Sequence, residues 1–373
     1  MQPRLLQLDL LRGVAILLTV AFHMIDLPGK VQASPAGSAV NFLRDMGWVG
    51  VDLFLVLSGF LVSGLIFKEF RKHGGFKLDR FLIRRGFKIY PGFYLCLFLQ
   101  LPLVEKPITL SRMLVEMCYL QNYFRGLRKY TWSLAVEEHF YITLGLLCLL
   151  LTARYRRLQA MVPICAAAML LPFVFRVMMW LLVPFQLGVH TVQTHLRCDA
   201  LAFGVLLSYF HHFHTERLEQ FVQKHKRWLA PLGVLLVLPC VIFGRSDWFT
   251  YTIGLTALYV GIGCFLLLTL FWNPPKNALM CALGNIGFYS YSIFLWNIPA
   301  RNLVELMPYF PIPFYASLKV VLYWALSLSL GILMARLVEI PFLKLRDRLY
   351  PSRSQDGAGP TAVNVSVAAE NPT

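Results

Sequence analysis

The sequence predicts an all-α, polytopic integral membrane protein with about ten transmembrane helices. Hydrophobic residues make up 57% of the 373 residues and charged residues only 14%, whereas about a quarter of the residues in a soluble domain are charged. The mean hydropathy is +0.60. Apolar runs of about 20 residues, the length that crosses a bilayer, recur along the whole chain. So much apolar surface cannot be buried in one water-soluble core.

The apolar runs also predict where the helices lie. We expect helices near residues 7–27, 47–67, 83–104, 132–152, 161–186, 197–213, 229–243, 250–272, 281–305 and 312–337. The segment 108–123 is a candidate for an additional re-entrant piece. We therefore predict one transmembrane domain over residues 1–350. A disordered cytoplasmic tail is expected over residues 351–373, where small polar residues show no periodicity.

The distribution of Lys and Arg predicts the orientation. If both termini are cytoplasmic, the inner segments carry about twice as many Lys and Arg residues as the outer ones, as the positive-inside rule expects. The same rule accounts for the net charge of +16, and no nucleic-acid-binding module is recognisable. The eight cysteines form no CxxC pair, which indicates packing residues rather than disulfides or a metal site.

The first helix carries Arg12 and His23 on one face. Eleven residues separate them, which is close to three turns and about 16 Å along the axis. Charges within the hydrocarbon are costly and therefore mark functional candidates. Arg12 would hold an anionic group arriving from the cytoplasm, and His23 would act as a general base near an acceptor on the other side. A structural interpretation is equally open, in which Arg12 pairs with Asp9 and His23 is a hydrogen-bonded packing residue.

The third helix begins with a basic stripe. Arg80, Arg84 and Lys88 follow one another at i, i+4 and i+8, with Arg85 beside them. A phosphate-rich ligand such as coenzyme A would be attracted to this stripe. A topological anchor or a site for lipid headgroups explains it nearly as well.

Glu137 and Glu138 lie near the outer start of the fourth helix, which we expect to be at the depth of His23. A carboxylate there would orient the imidazole. The alternative is structural pairing of these carboxylates with basic residues of the preceding loop, namely Arg125, Arg128 or Lys129.

Four further polar residues lie in or near predicted helices: Asp52, Ser58, Arg197 and Asp199. For the charged ones, structural ion pairing is the favoured explanation. The cluster His211, His212 and His214 invites a metal hypothesis. It has no acidic or Cys ligand at a suitable spacing, and we therefore predict no metal site.

These motifs, taken in order, resemble the acyltransferase-3 family of membrane O-acyltransferases. The resemblance covers roughly residues 5–345 and rests on collinear motifs: LDLLRG (Leu8–Gly13) followed by His23, GVDLFLVLSGF (Gly50–Phe60), FLIRRGFKIYP (Phe81–Pro91), WSLAVEEHFY (Trp132–Tyr141), RCDALAFG (Arg197–Gly204), SYSIFLWN (Ser290–Asn297) and VEIP (Val338–Pro341).

The resemblance implies transfer of an acyl group, usually acetyl from acetyl-CoA, to a sugar hydroxyl. Typical acceptors are surface polysaccharides, lipid-linked glycans and glycosylated metabolites. Arg12 and His23 match the family's essential pair, and four other residues match its further motifs, namely Arg84, Arg85, Glu137 and Glu138. One departure is Asn297, because the family often has His at that position. An Asn can form hydrogen bonds but cannot take up a proton.

We therefore predict a membrane O-acyltransferase of the bacterial inner (plasma) membrane that uses acyl-CoA as co-substrate and no metal. His23 would deprotonate the acceptor hydroxyl, with Glu137 or Glu138 as its orienting partner. Both direct transfer and an acyl-enzyme are compatible with the sequence, and the acceptor and oligomeric state are not predicted. The alternative function is a transporter or flippase of a lipid-linked glycan or small metabolite. The sequence shows no inverted repeat with paired broken helices, which disfavours that alternative.

Overall fold

The computed structural model describes residues 5–26, 34–103, 107–128, 130–152, 158–308 and 315–351. Over these ranges the chain forms helices and no strand, which confirms the all-α prediction. The helices, in chain order, are α1 (Leu6–Phe22), α2 (Pro35–Met46), α3 (Val49–His73), α4 (Leu78–Leu99), α5 (Leu110–Met117), α6 (Trp132–Leu150), α7 (Met161–Leu182), α8 (Thr194–Phe213), α9 (Thr215–Phe243), α10 (Leu255–Leu270), α11 (Ala278–Phe288), α12 (Ser290–Glu305), α13 (Tyr315–Met334) and α14 (Ile340–Leu349).

Within the described residues, six helical segments are long and apolar enough to cross a bilayer. A seventh is reached if α11 and α12, which meet at an angle of 76°, count as one bent span. The predicted number of about ten is therefore not confirmed. Two of the predicted spans do not meet the length or the apolar character of such a helix. Helix α1 is only 17 residues long, and α4 carries the charged residues of the basic stripe. The predicted disordered tail lies outside the described residues except for Pro351.

Helices α3 and α8 pack closely where they cross. A β-carbon placed on Gly59 would lie 2.1 Å from the carbonyl oxygen of Leu201, and one on Gly204 would lie 2.2 Å from that of Val56. The two backbones are thus in direct contact, which requires glycine at both positions. Small residues at helix crossings are the usual way for membrane helices to maximise van der Waals contact.

Buried ion pairs join α8 to α3 and to α7. Arg197 of α8 contacts Asp52 of α3 at 2.6 Å. Asp199, also on α8, contacts Arg176 of α7 at 2.7 Å. All four side chains are buried, so each charge is compensated by its partner within the protein. The structural ion pairing that the sequence analysis favoured for these residues is therefore present.

Helix α1, which carries Arg12 and ends one residue before His23, packs against several helices. Its main neighbours are α11 and α3. The hydroxyl group of Tyr323 on α13 donates a hydrogen bond to the carbonyl oxygen of Val20 at 2.7 Å. The two ends of α1 are therefore held in fixed positions within the bundle.

Candidate active site

A cavity of about 470 Å³ extends along α3. The residues of α3 that line it extend from Val51 to Glu69, a distance of about 27 Å along a helix axis. The hydrocarbon core of a bilayer is about 30 Å thick. The cavity thus extends over a length of α3 that is close to the full thickness of a membrane.

One end of this cavity is strongly basic, and we refer to it as the basic end. All four residues of the predicted stripe line the cavity, namely Arg80, Arg84, Arg85 and Lys88. They do so because the i, i+4, i+8 spacing keeps one face of α4 turned towards the cavity. Arg12, Lys68 and Arg346 also contribute to the lining. So many cations around one space favour an anionic ligand.

The C-terminal segment of the described chain lies across part of the basic end. Arg84 contacts the carboxylate of Asp347 at 3.1 Å and donates a hydrogen bond to the carbonyl oxygen of Tyr350. Arg80 donates to the carbonyl oxygen of Pro351. Two of the predicted ligand-binding arginines are therefore engaged by the protein itself. This contact was not predicted, because nothing in a linear sequence indicates that residues more than 260 positions apart meet.

The acidic residues on the wall of the cavity are held by hydroxyl groups. Ser58 donates a hydrogen bond to Glu137 Oε1 at 2.9 Å, and Tyr141 donates to Glu137 Oε2 at 2.8 Å. Tyr90 donates to Glu138 Oε2 at 3.2 Å. Arg85 and Lys88 lie near enough to interact electrostatically with Glu137. Ser58 was predicted as a motif residue, whereas the roles of Tyr90 and Tyr141 were missed although both lie within the quoted motifs.

The contacts of α3 give the depth of these carboxylates relative to His23. Gly50 of α3 packs against Ala15 and Thr19 of α1, which lie about 12 and 6 Å before His23 along the axis of α1. Ser58 is eight residues further along α3, or about 12 Å towards the Arg12 end. Glu137 is hydrogen-bonded to Ser58 and therefore lies near the level of Arg12.

The expectation that Glu137 and Glu138 lie at the depth of His23 is therefore not what the structure shows. Among the described residues, no hydrogen bond or ion pair joins either carboxylate to His23. The expectation rested on the distance of each residue from the end of its own helix, which gives no information on how two helices are offset. The alternative pairing with Arg128 is not present either, since the hydrogen bonds of its guanidinium go to Leu97 and Tyr130.

His23 follows the last residue of α1 and has different neighbours. Its side chain interacts with Asn297 of α12, and the cations of Arg301 and Arg245 are nearby. The Arg245 guanidinium also lies 4.4 Å from the ring centroid of Phe22. The Nδ1 atom of His23 is buried and has no hydrogen-bond partner in the described part of the protein.

Asn297 occupies the position at which the family often has His. Its amide nitrogen donates to the carbonyl oxygens of Phe294 at 2.6 Å and Ile293 at 3.4 Å, both on its own helix. Its Oδ1 atom is buried and accepts no hydrogen bond from the described residues. An amide fixed in this way presents an acceptor oxygen to an imidazole N–H. The motif departure in the sequence was thus a signal for the residue that lies beside His23.

The sequence left two interpretations of Arg12 open, and the structure shows features of both. It contacts Asp9 at 3.6 Å, as the structural interpretation expects, and it also lines the cavity. Asp52, Arg197 and Asp199 belong to the ion pairs between helices. The Arg197 guanidinium also lies 5.5 Å from the ring centroid of Trp132. The described residues contain no group of His, Cys, Asp and Glu that could hold a metal ion.

Comparison with known proteins gives a family match over nearly the whole chain. The family model described as "Acyltransferase domain", of the acyltransferase-3 type, matches residues 5–340. A peptidoglycan O-acetyltransferase, OatA, from Listeria monocytogenes is 25% identical over 371 residues, covering 90% of this chain and 55% of that protein. A putative O-acetyltransferase from Staphylococcus aureus is 24% identical, covering 90% of this chain and 57% of that protein.

A further relative is an O-acetyltransferase, also named OatA, from Staphylococcus aureus. It is 24% identical over 333 residues, covering 80% of this chain and 53% of that protein. The chain thus spans about half the length of the curated relatives that it matches. No solved structure matches.

Proposed function

The chain belongs to the acyltransferase-3 family, and we propose that it is an integral membrane O-acetyltransferase of the bacterial plasma membrane. It moves an acyl group, acetyl above all, from acyl-CoA to a hydroxyl group of a sugar. The acceptor is a glycan such as peptidoglycan, which the name of one relative specifies for that relative. Surface polysaccharides, lipid-linked glycans and glycosylated metabolites offer the same hydroxyl chemistry.

The proposed donor site is the basic end of the cavity. Coenzyme A carries several phosphate groups on one end and its thioester on the other, joined by a long flexible arm. Arg80, Arg84, Arg85 and Lys88 would bind the phosphates, because arginine forms paired charge-assisted hydrogen bonds with phosphate oxygens. Arg12 adds a further cation to the cavity lining. With both termini cytoplasmic, the basic end opens towards the compartment that supplies acyl-CoA.

The proposed general base is His23. It takes the proton of the acceptor hydroxyl while that oxygen attacks the thioester carbonyl carbon. The C–O bond forms, the C–S bond breaks, and the proton on His23 passes to the leaving thiolate to give free CoA. Asn297 would act as a positioning residue, because its Oδ1 atom, which accepts no hydrogen bond from the described residues, would accept the ring N–H and orient the imidazole.

The observation that supports the proposal is the length over which the cavity extends along α3. Its lining begins at the basic stripe and ends at Val51, next to Gly50, which packs against Thr19 of α1. His23 does not itself line the cavity; it is four residues beyond Thr19, or about 6 Å along α1. A donor held by its phosphates at the basic end would therefore extend its thioester towards His23, near the opposite membrane surface.

Glu137 and Glu138 take a different role in this proposal from the one expected for them. They lie on the cavity wall near the level of Arg12, where Glu137 faces Arg85 and Lys88. We propose that the two carboxylates hold Arg85 and Lys88 in position along the path of the donor. They would thus influence binding of the donor rather than the basicity of His23.

The experiment compares cells that express the protein, its His23→Ala variant or a matched control. His225→Ala is the control, because His225 lies on α9 and does not line the cavity. Glycans and secreted glycosylated metabolites are analysed by mass spectrometry, with the amount of protein in the membrane measured for each strain. The acetyl mass increment should be present with the parent protein and with His225→Ala, and absent with His23→Ala.

The same experiment tests the transporter alternative. If acylation were the same in all three strains while export of a glycan or metabolite failed with His23→Ala, the enzyme proposal would be wrong. Loss of the increment in the His225→Ala strain at normal protein levels would also contradict it.

A further inference from the structure

The surroundings of His23 include two arginines to which the proposed reaction gives no role. Arg245 lies on the loop that follows α9, and Arg301 lies on α12. Both cations act electrostatically on the His23 imidazole. Neither of them lines the cavity that holds the donor-binding stripe. They therefore belong to the acceptor end of the proposed reaction.

The spacing along α12 gives the position of Arg301. Asn297 is the side chain of α12 that interacts with His23, and Arg301 lies one turn later on the same face of the helix. Ser290 and Phe294, earlier on α12, line the cavity. Arg301 therefore lies about 6 Å beyond the level of His23, on the side away from the cavity.

A turn at Gly244 and an aromatic ring position Arg245. Gly244 ends α9 with φ 74° and ψ 175°, a conformation that is essentially restricted to glycine. The Arg245 guanidinium then lies 4.4 Å from the ring centroid of Phe22, and the ring of Phe22 is 5.2 Å from that of His23. Because the face of an aromatic ring attracts a cation, Arg245 is held beside His23 by this contact.

Both guanidinium groups retain donors that a ligand can use. Arg301 donates through Nε to Glu305 at 2.8 Å, an exposed i, i+4 pair of a kind that contributes little to stability. Among the described residues, no carboxylate contacts Arg245, and Asp45, which acts on it at longer range, contacts Arg44 at 3.4 Å. The side chain of Arg301 is 31% exposed and Arg245 is partly exposed, so a ligand can reach both.

Two cations beside His23 oppose its proposed role as a base. The imidazole becomes positive when it takes the proton, and a nearby cation disfavours that form. Asp26, the nearest described carboxylate after His23 along the chain, is exposed and contacts Arg44 instead. An anionic group on the acceptor would bind the two arginines and neutralise their charge. A neutral acceptor would do neither.

The charge of this site indicates which anion it suits. Arg245, Arg301 and Glu305 together carry one net positive charge. A single carboxylate neutralises that charge, whereas a phosphate monoester, with a charge of about −1.5 to −2 at neutral pH, exceeds it. The two arginines lie beside His23 rather than in contact with it, which suits a carboxylate separated from the reacting hydroxyl by part of a sugar ring.

We propose that Arg245 and Arg301 form an anion subsite of the acceptor site, and that the acceptor is a glycan with a carboxylate near the hydroxyl that receives the acyl group. The inference rests on the proposed function and names a group that the acceptor carries. The carboxylate pairs with the two guanidinium groups, and the neighbouring hydroxyl then faces His23. The same group thus binds the acceptor and offsets the charge that opposes proton transfer.

The test compares two acceptors, a peptidoglycan-derived oligosaccharide with free carboxylates and the same oligosaccharide with carboxamides in their place. The full chain is used in nanodiscs of zwitterionic lipid with labelled acetyl-CoA, and kcat and KM are measured for each acceptor. The parent protein should prefer the carboxylate roughly 5- to 50-fold in kcat/KM, as hydrogen bonds to a charged, partly exposed group give. In a variant with both Arg245→Gln and Arg301→Gln, this ratio should fall to about one, chiefly through a higher KM for the carboxylate.

Two further variants control this comparison. Arg125→Gln changes an exposed arginine of the loop before α6 and should keep the ratio of the parent protein. Arg301→Lys keeps the charge and should retain more of the ratio than Arg301→Gln. If the arginines only supported the fold or the transition state, both acceptors would lose activity equally and the ratio would persist in the double variant. That result, or a ratio of about one in the parent protein, would overturn the inference.

A lipid headgroup is the competing ligand for these arginines. If replacing part of the zwitterionic lipid by phosphatidylglycerol removed the preference of the parent protein, the arginines would bind lipid phosphate and the inference would be wrong. A ratio that does not depend on the lipid supports the acceptor as the ligand.

These outcomes are separable from failure of the proposed function. If the parent protein acetylates neither oligosaccharide, the proposed glycan acceptor is wrong and the anion subsite is wrong with it. If acetylation requires His23 but the ratio does not depend on Arg245 and Arg301, the enzyme proposal stands and only the anion subsite is refuted.

Discussion

Arg176 is the buried charge whose removal has the most directly calculable consequence. Its guanidinium donates to Asp199 Oδ2 at 2.7 Å, to the carbonyl oxygen of Leu196 at 2.8 Å and to Thr256 Oγ1 at 2.8 Å. The side chain is fully buried. An Arg176→Met variant keeps an unbranched side chain at this position but leaves three acceptors without this donor, two of them buried and one of these ionised.

Removing one partner of a buried pair typically costs about 3–5 kcal/mol. We therefore expect Arg176→Met to lower the free energy of unfolding by about that amount. Asp199→Asn removes the charge of the other partner. The double variant should lose less than the sum of the two single variants, with a coupling energy of about 1–3 kcal/mol.

The assay is unfolding in mixed micelles with increasing SDS fraction, followed by circular dichroism. Arg217→Met on the exposed surface of α9 is the matched control, and its free energy of unfolding should change by no more than about 0.5 kcal/mol. A loss below about 1 kcal/mol for Arg176→Met, or strictly additive losses in the double variant, would refute this account of the ion pairs.

Three other changes have defined outcomes. Gly59→Ala should destabilise the protein by about 1–3 kcal/mol in the same assay, because the β-carbon of the new alanine would clash with the backbone of α8. Gly75→Ala should not destabilise it, because a β-carbon at position 75 would have no neighbouring atom within 4 Å. Asn297→Leu should lower the transfer rate by about 10- to 100-fold with little change in donor affinity, as expected for one hydrogen bond to a charged imidazole; an unchanged rate would exclude the positioning role. Asp347→Asn should release Arg84 and tighten CoA binding by about 1.5- to 5-fold in calorimetry, and weaker binding would show that Asp347 supports the site.

The features that depend on local sequence were predicted well. The apolar runs predicted an all-α membrane protein, and helices overlap the predicted ranges, although the range 281–305 is divided into α11 and α12 and the predicted number of spans is not confirmed. The basic stripe was predicted from the i, i+4 spacing alone, and its residues line one cavity wall together with Arg12. These inferences needed only the periodicity of a single helix.

The features that depend on how helices are offset were not predicted. The relative depth of Glu137 and His23 follows from the close contact of Gly50 with α1 and the hydrogen bond of Ser58 to Glu137. Neither contact leaves a signal in a single sequence. The distance of each residue from its helix end was the only guide, and it placed the carboxylates at the level of His23 instead of near the level of Arg12.

Asn297 and the adjacent histidines of α8 stand out in the sequence, but their positions in the structure could not be inferred from it. Asn297 was recorded as a departure from the family pattern, and the structure places it beside His23. The adjacent histidines of α8 were judged only as metal ligands, and they line the cavity. In both cases the residue type was informative, but its partner lies on another helix.

The central claim is that a donor bound at the basic end delivers its acyl group to an acceptor near His23, at the opposite surface. Proteoliposomes that enclose a peptidoglycan-derived oligosaccharide and receive labelled acetyl-CoA from outside test it directly. We expect an alkali-labile acetyl ester on the enclosed oligosaccharide. Formation should be normal with His225→Ala and at least about 100-fold slower with His23→Ala. Equal formation with His23→Ala, or ester found only on oligosaccharide added outside, would contradict the claim.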